Sequence, residues 1–94
     1  MTMPKGSVHV YITGKVQGVG YRYSAAIQAQ KLGLTGWVKN LYDGRVEALF
    51  EGENETITQM LSWCQQGPSM SYVTNIETHK KDYTGQFKDF SITG

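Results

Sequence analysis

Apolar and polar side chains alternate through Val8, His9, Val10, Tyr11, Ile12 and Thr13, the two-residue period of a strand with one buried face. A glycine-bearing run, residues 14–20, interrupts the alternation, and the period then changes. Tyr21, Ala25, Ala29 and Leu32 recur at spacings of four, four and three, which puts them on one side of a helix that Gly33 can close. The small alanines let such a helix lie close to a sheet. Alternation returns over residues 35–41, with Val38 and Asn40 on one side and Trp37 and Lys39 on the other. Asp43-Gly44 predicts a two-residue type I′ hairpin. Val46, Ala48 and Phe50 then alternate against Arg45, Glu47 and Leu49 in a third strand. Glu53 or Asn54 is placed to cap a second helix, whose apolar stripe is Ile57, Met60, Leu61 and Cys64 and which Gly67-Pro68 stops. Residues 72–79 have strand composition, but Val73 and Ile76 are three apart, so a bulge is expected there. Residues 80–86 are polar and turn-rich, and residues 87–92 end with Phe90 and Ile92 on one face.

The order is β-α-β-β-α-β, each helix serving as a right-handed crossover between parallel strands. It predicts an α+β, ferredoxin-like sandwich: one antiparallel sheet, two helices on one face, and room for a short fifth strand. Residues 1–6 read as a flexible lead-in and residues 7–94 as a single domain. A chain of 94 residues buries roughly 60–65% of its unfolded surface, enough for one core. Nine basic against eight acidic residues leave a formal charge of +1, which argues against a partner as anionic as nucleic acid. An RNA-recognition domain on this fold would also need a Lys/Arg-Gly-aromatic segment, and Val46 to Phe50 offers none. One cysteine, Cys64, permits no disulfide within the chain and fits a reducing compartment. With no apolar signal region and no segment of membrane-spanning length, the expectation is a soluble cytoplasmic monomer with no membrane partner.

The chemistry concentrates in Gly14-Lys15-Val16-Gln17-Gly18-Val19-Gly20-Tyr21-Arg22. Glycines there allow positive φ and a close approach of backbone to ligand. Successive amide groups can form a concave nest for an anion, and the helix that follows adds the positive end of its dipole. Arg22 supplies a planar fork of donors matched to phosphate oxygens. The bland alternative is a surface turn beside a solvated arginine. The run lacks the Lys-Ser/Thr ending of a P-loop and the G-x-G-x-x-G spacing of a dinucleotide fingerprint, so a different phosphate site is required.

That run closely resembles the first signature of the acylphosphatase family, and Gly36-Trp37-Val38-Lys39-Asn40-Leu41-Tyr42-Asp43-Gly44-Arg45-Val46-Glu47 resembles the second. The spacing between them matches as well, and the similarity runs from about Val8 to Ile92. Lys15 stands where the family often has arginine, and Tyr21 where it often has phenylalanine. The resemblance implies metal-free hydrolysis of small-molecule acyl phosphates, with no cofactor. By matching positions it implies that Arg22 binds the phosphate together with the amides of Gln17, Gly18, Val19, Gly20 and Tyr21, and that Asn40 orients the attacking water. A carboxylate leaves without protonation, so no general acid is needed. The acidic residues Asp43, Glu47, Glu51, Glu53 and Glu55 have no histidine at metal-ligand spacing. His9 and His79 read as lone strand histidines, Cys64 as core, and Trp37 and Tyr11 as packing. The rival reading is a non-catalytic phosphate-binding module on the same fold.

Overall fold

A computed structural model describes residues 4–94. The elements are β1 (Lys5–Lys15), α1 (Tyr21–Lys31), β2 (Thr35–Asn40), β3 (Val46–Glu53), α2 (Asn54–Gln66), β4 (Tyr72–Lys81) and β5 (Phe90–Ile92). They form one five-stranded sheet in the order β4-β1-β3-β2-β5. The first four strands pair antiparallel, as the element order requires. β5 instead joins β2 in parallel, so the sheet is mixed rather than purely antiparallel. The chain reaches β5 by crossing the sheet from the far edge strand, and that long return permits the parallel direction.

The alternation in β1 and β3 is realised without slippage: Val8, Val10, Ile12, Val46, Ala48 and Phe50 all point into the core. α1 covers β2 and β5, and α2 covers β1, β3 and β4. Ala25, Ala26 and Ala29 are buried at the α1 contact, as expected of small residues between helix and sheet. Phe50 and Phe90 stack with centroids 5.4 Å apart, which ties the short β5 to the core. α1 ends as the sequence predicts. Leu34 N–H bonds the Ala29 carbonyl and Gly33 N–H the Gln30 carbonyl, a Schellman closure with Gly33 at C′. The expected bulge is in β4: Thr13 pairs with Asn75 and Gly14 with Val73, leaving Thr74 as the extra residue. The extra residue puts Val73 and Ile76 on the same packed side.

Three local expectations are corrected. The segment 41–45 is a three-residue hairpin, closed by Leu41 N–H to the Arg45 carbonyl at 2.8 Å and Gly44 N–H to the Leu41 carbonyl at 3.3 Å. A type I′ turn would force positive φ on Asp43 as well as on Gly44; the longer loop confines it to the glycine. Glu53 stands at the N-cap position of α2, but its side chain makes no cap bond; Asn54, the other cap candidate, is the first residue of the helix, and its N–H bonds the Pro4 carbonyl at 3.0 Å. Finally, Lys5 and Gly6 belong to β1, paired with Glu53 and Gly52; residues 1–3 of the expected lead-in lie outside the described residues.

The sheet face opposite the helices is open near β4 and β1 but covered at one end by residues 82–89. Glu51, buried on that face, holds this crossover. Its carboxylate accepts Thr84 N–H at 3.2 Å, Thr84 Oγ1–H at 2.9 Å and Gly85 N–H at 3.0 Å.

Candidate functional site

β1 delivers the chain to the sheet edge at Lys15, and the buried Val16 anchors the turn that follows. Gly18 and Gly20 have φ of 74° and 80°, values that L side chains rarely adopt. A Cβ at either position would meet nothing within 4 Å, so backbone conformation, not space, demands glycine there. Val19 packs its side chain against the core. Gly20 is the N-cap of α1 and offers no side-chain cap, and the first turn contains no acidic residue. The helix thus presents uncapped N–H groups and the positive end of its dipole.

Arg22, in that first turn, is half-buried and lines a shallow depression of about 300 Å³ with Val16, Gly18, Gly20, Tyr21, Tyr23 and Ile92. Its guanidinium has no ion pair or hydrogen bond among the described residues. Asn40 is the last residue of β2. Its Oδ1 is buried and has no hydrogen-bond partner among the described residues. An unmet buried acceptor costs about 1–3 kcal/mol, an expense that a bound donor removes. Asn40 borders a second depression with Gln17, Lys39, Leu41, Tyr42 and Gly94.

The two depressions are lined by consecutive loop residues, Gly18 and Gln17. The Gln17 side chain spans the gap from the loop to the hairpin. Its Nε2 donates to the Leu41 carbonyl at 2.8 Å and to the Arg45 carbonyl at 3.0 Å, the two residues that bracket the turn after Asn40. Sequence reading assigned Gln17 a backbone role alone; its side-chain bonds cross 24 and 28 residues, and no local pattern reports them.

Tyr21 divides its roles. Its ring is buried against Trp63, and its hydroxyl donates to the Cys64 carbonyl at 2.8 Å, so only its backbone faces the loop. Burial, with Cys64 beside it, pushes the phenol pKa well above the usual range. Burial likewise pushes the Cys64 thiol up to about 12, which fits a core residue and disfavours the thiolate a nucleophile needs. Beyond the loop, Asp43 is held below the usual carboxylate range by the Arg45 backbone N–H and then by its guanidinium.

His9 and His79 lie across the β1–β4 ladder from one another, on the sheet face opposite the helices. His9 Nε2 meets Glu47 Oε2 at 2.6 Å, a partner 38 residues away that sheet register supplies and linear spacing conceals. His79 pairs with Glu77. Among the described residues no group of three or more His, Cys, Asp or Glu side chains is placed to hold a metal ion. No helix among them is long and apolar enough to cross a membrane.

The likeness to known proteins covers both the loop and the hairpin. The acylphosphatase family model matches residues 8–92. An acylphosphatase of Methylococcus capsulatus is 49% identical over 85 residues, 90% of this chain and 92% of that protein. The crystal structure of an acylphosphatase from Bacillus subtilis superposes with a TM-score of 0.92 at 36% identity, covering 95% of this chain and 99% of that one. An acylphosphatase from Coxiella burnetii gives a TM-score of 0.90 at 37% identity over 95% and 93% of the two chains. With the family model spanning residues 8–92 and the fold shared over 95% of its length, this chain belongs to the acylphosphatase family.

Proposed function

We propose that this protein hydrolyses the carboxyl–phosphate bond of small acyl phosphates without a metal ion, yielding a carboxylate and inorganic phosphate. The observation that carries the reading is a pair of unmet polar groups on residues that line adjoining depressions: the Arg22 guanidinium without an ion pair among the described residues, and the Asn40 Oδ1, a buried acceptor without a donor among them. In this reading the amides of residues 17–21 and Arg22 hold the phosphoryl oxygens. Phosphoryl transfer depends mostly on positioning and electrostatics, so a fixed cradle and one guanidinium do most of what is required.

The Asn40 amide offers one acceptor and two donors, which suits it to hold a water molecule but not to take its proton. The water oxygen bonds to phosphorus as the bond from phosphorus to the acyl oxygen breaks. The leaving carboxylate departs with that electron pair, and a phosphate oxygen of the substrate accepts the water proton. No general acid is required, and a histidine is not needed as base. We further place this chemistry in a cytoplasmic monomer.

The test is benzoyl phosphate hydrolysis with EDTA present, comparing the protein with its Arg22→Ala variant. Turnover that survives chelation and collapses in the variant supports the reading. A folded protein that binds inorganic phosphate yet turns nothing over refutes it and favours the non-catalytic phosphate-binding module.

A further inference from the structure

We propose that Tyr23 and Ile92 form the subsite for the acyl group, and that the preferred substrates are acyl phosphates with an apolar or aromatic acyl portion. The inference rests on the function proposed above, and it starts from reaction geometry. In phosphoryl transfer the attacking and leaving oxygens are roughly in line on opposite sides of phosphorus. If the phosphoryl group sits in the glycine loop and Asn40 holds the water, the acyl group must extend away from Asn40. Two depressions border the loop, one lined by Gln17 and the other by Gly18 and Gly20. The Asn40 side is bordered by Gln17, Lys39, Leu41, Tyr42 and Gly94. The Arg22 side is bordered by Tyr23 and Ile92.

Both of those side chains are larger and more apolar than their exposure warrants. Tyr23 is 67% exposed and Ile92 43% exposed. Single exposed apolar residues need no explanation. These two come from different elements yet line the same depression as Arg22. Tyr23 directly follows Arg22 in the first turn of α1. Ile92 is brought alongside by the parallel β5, where it pairs with Val38 two residues before Asn40, and α1 packs against that strand. Phe90, on the same side of β5, is buried in the core, whereas Ile92 projects past it toward the site. An acyl chain leaving phosphorus on this side meets a phenol ring and a branched aliphatic side chain. No cation other than Arg22 lines the depression, so a charged acyl portion gains nothing there.

The experiment measures kcat/KM for benzoyl phosphate and acetyl phosphate in the unmodified protein and in Tyr23→Ser, Ile92→Ser and Tyr42→Ser. Competitive inhibition by inorganic phosphate is measured in each. An apolar contact in a specificity pocket is worth roughly tenfold in kcat/KM. The benzoyl-to-acetyl ratio is expected to fall about that far in Tyr23→Ser and in Ile92→Ser, with phosphate inhibition unchanged. Tyr42, on the Asn40 side, should leave the ratio as it is. A ratio unchanged in Tyr23→Ser, whose exposed side chain is not needed for folding, or one that falls in Tyr42→Ser instead, overturns the subsite assignment while leaving hydrolysis intact. Absence of turnover with either substrate in the unmodified protein overturns the proposed function, and the subsite with it.

Discussion

Replacing Gln17 by alanine tests how the two halves of the site are held together. The substitution removes two hydrogen bonds from Nε2, at 2.8 Å to the Leu41 carbonyl and 3.0 Å to the Arg45 carbonyl. Neither carbonyl is left without a partner, because Leu41 still accepts from Gly44 N–H and Arg45 from Leu41 N–H. The loss is therefore the net value of two bonds and not the larger penalty of orphaned acceptors, about 1–2 kcal/mol in total. If that energy fixes Asn40 relative to the glycine loop, its loss corresponds to roughly 5–30-fold in rate. The expected result for Gln17→Ala is a fall in kcat of that size, with KM and inhibition by inorganic phosphate nearly unchanged, because Arg22 and the backbone cradle remain. Urea unfolding read alongside the kinetics separates stability from positioning. A variant that loses about 1–2 kcal/mol of stability but keeps its kcat would refute the claim that these bonds position Asn40 for turnover. Equal losses in kcat and phosphate affinity would show instead that the cradle itself had collapsed.

Arg22→Lys keeps the charge but not the fork, and a loss of about 10²–10³ in kcat/KM is expected; activity near that of the parent protein would remove Arg22 from its assigned place. Asn40→Ala should lower kcat while sparing KM, so a change confined to KM in steady-state assays counts against water positioning. Glu51→Ala deprives Thr84 and Gly85 of their buried acceptor and should cost roughly 2–3 kcal/mol in urea unfolding, with faster amide hydrogen exchange over residues 82–89; unaltered exchange there would mean that other contacts hold the crossover. Stability should also decline in alkali. Cys64 and Tyr21 both hold their protons more tightly in the folded state than in the unfolded chain. Their contribution is complete below about pH 9 and is lost for Cys64 as pH rises toward about 12, with Tyr21 adding to the decline from about pH 10. Each group can contribute up to about 1.4 kcal/mol per pH unit. Urea titrations between pH 8 and 11, on the order set by those values, should give a shallower decline for Cys64→Ala; identical slopes would contradict the assignment.

The site follows from where this fold places chain ends. β1 and β2 are parallel, with β3 between them, and both run toward the same edge of the sheet. The loop after β1 and the hairpin after β2 are therefore neighbours, although 24 residues separate Gln17 from Leu41. Gly18 and Gly20, both at positive φ, turn the chain into α1, with Gly20 at its N-cap. On the proposed function, backbone amides meet the phosphoryl group without side-chain rearrangement, which keeps the cost of ordering low.

Periodicity by itself determined which side chains face the core. Val8, Val10, Ile12, Ala25, Ala29, Val46, Ala48, Phe50, Ile57, Met60 and Cys64 are all buried as their spacing requires. Local steric rules fixed the Gly33 closure, the stop at Gly67 and the bulge that brings Val73 and Ile76 to one side. The order of elements set the pairing of the four antiparallel strands, and the two glycine-bearing motifs marked the family. Tertiary structure decided the rest. Glu51 lies on the outward side of β3, yet it is buried, because the returning chain covers it and supplies its hydrogen bonds. The same return makes β5 parallel to β2 and sets Ile92 beside Arg22. The Gln17 side chain, the unmet Asn40 Oδ1 and the inward Tyr21 hydroxyl all depend on partners, or on a missing partner, that only packing can specify. A residue's period states which way it points, whereas its chemistry depends on what the distant chain places in front of it.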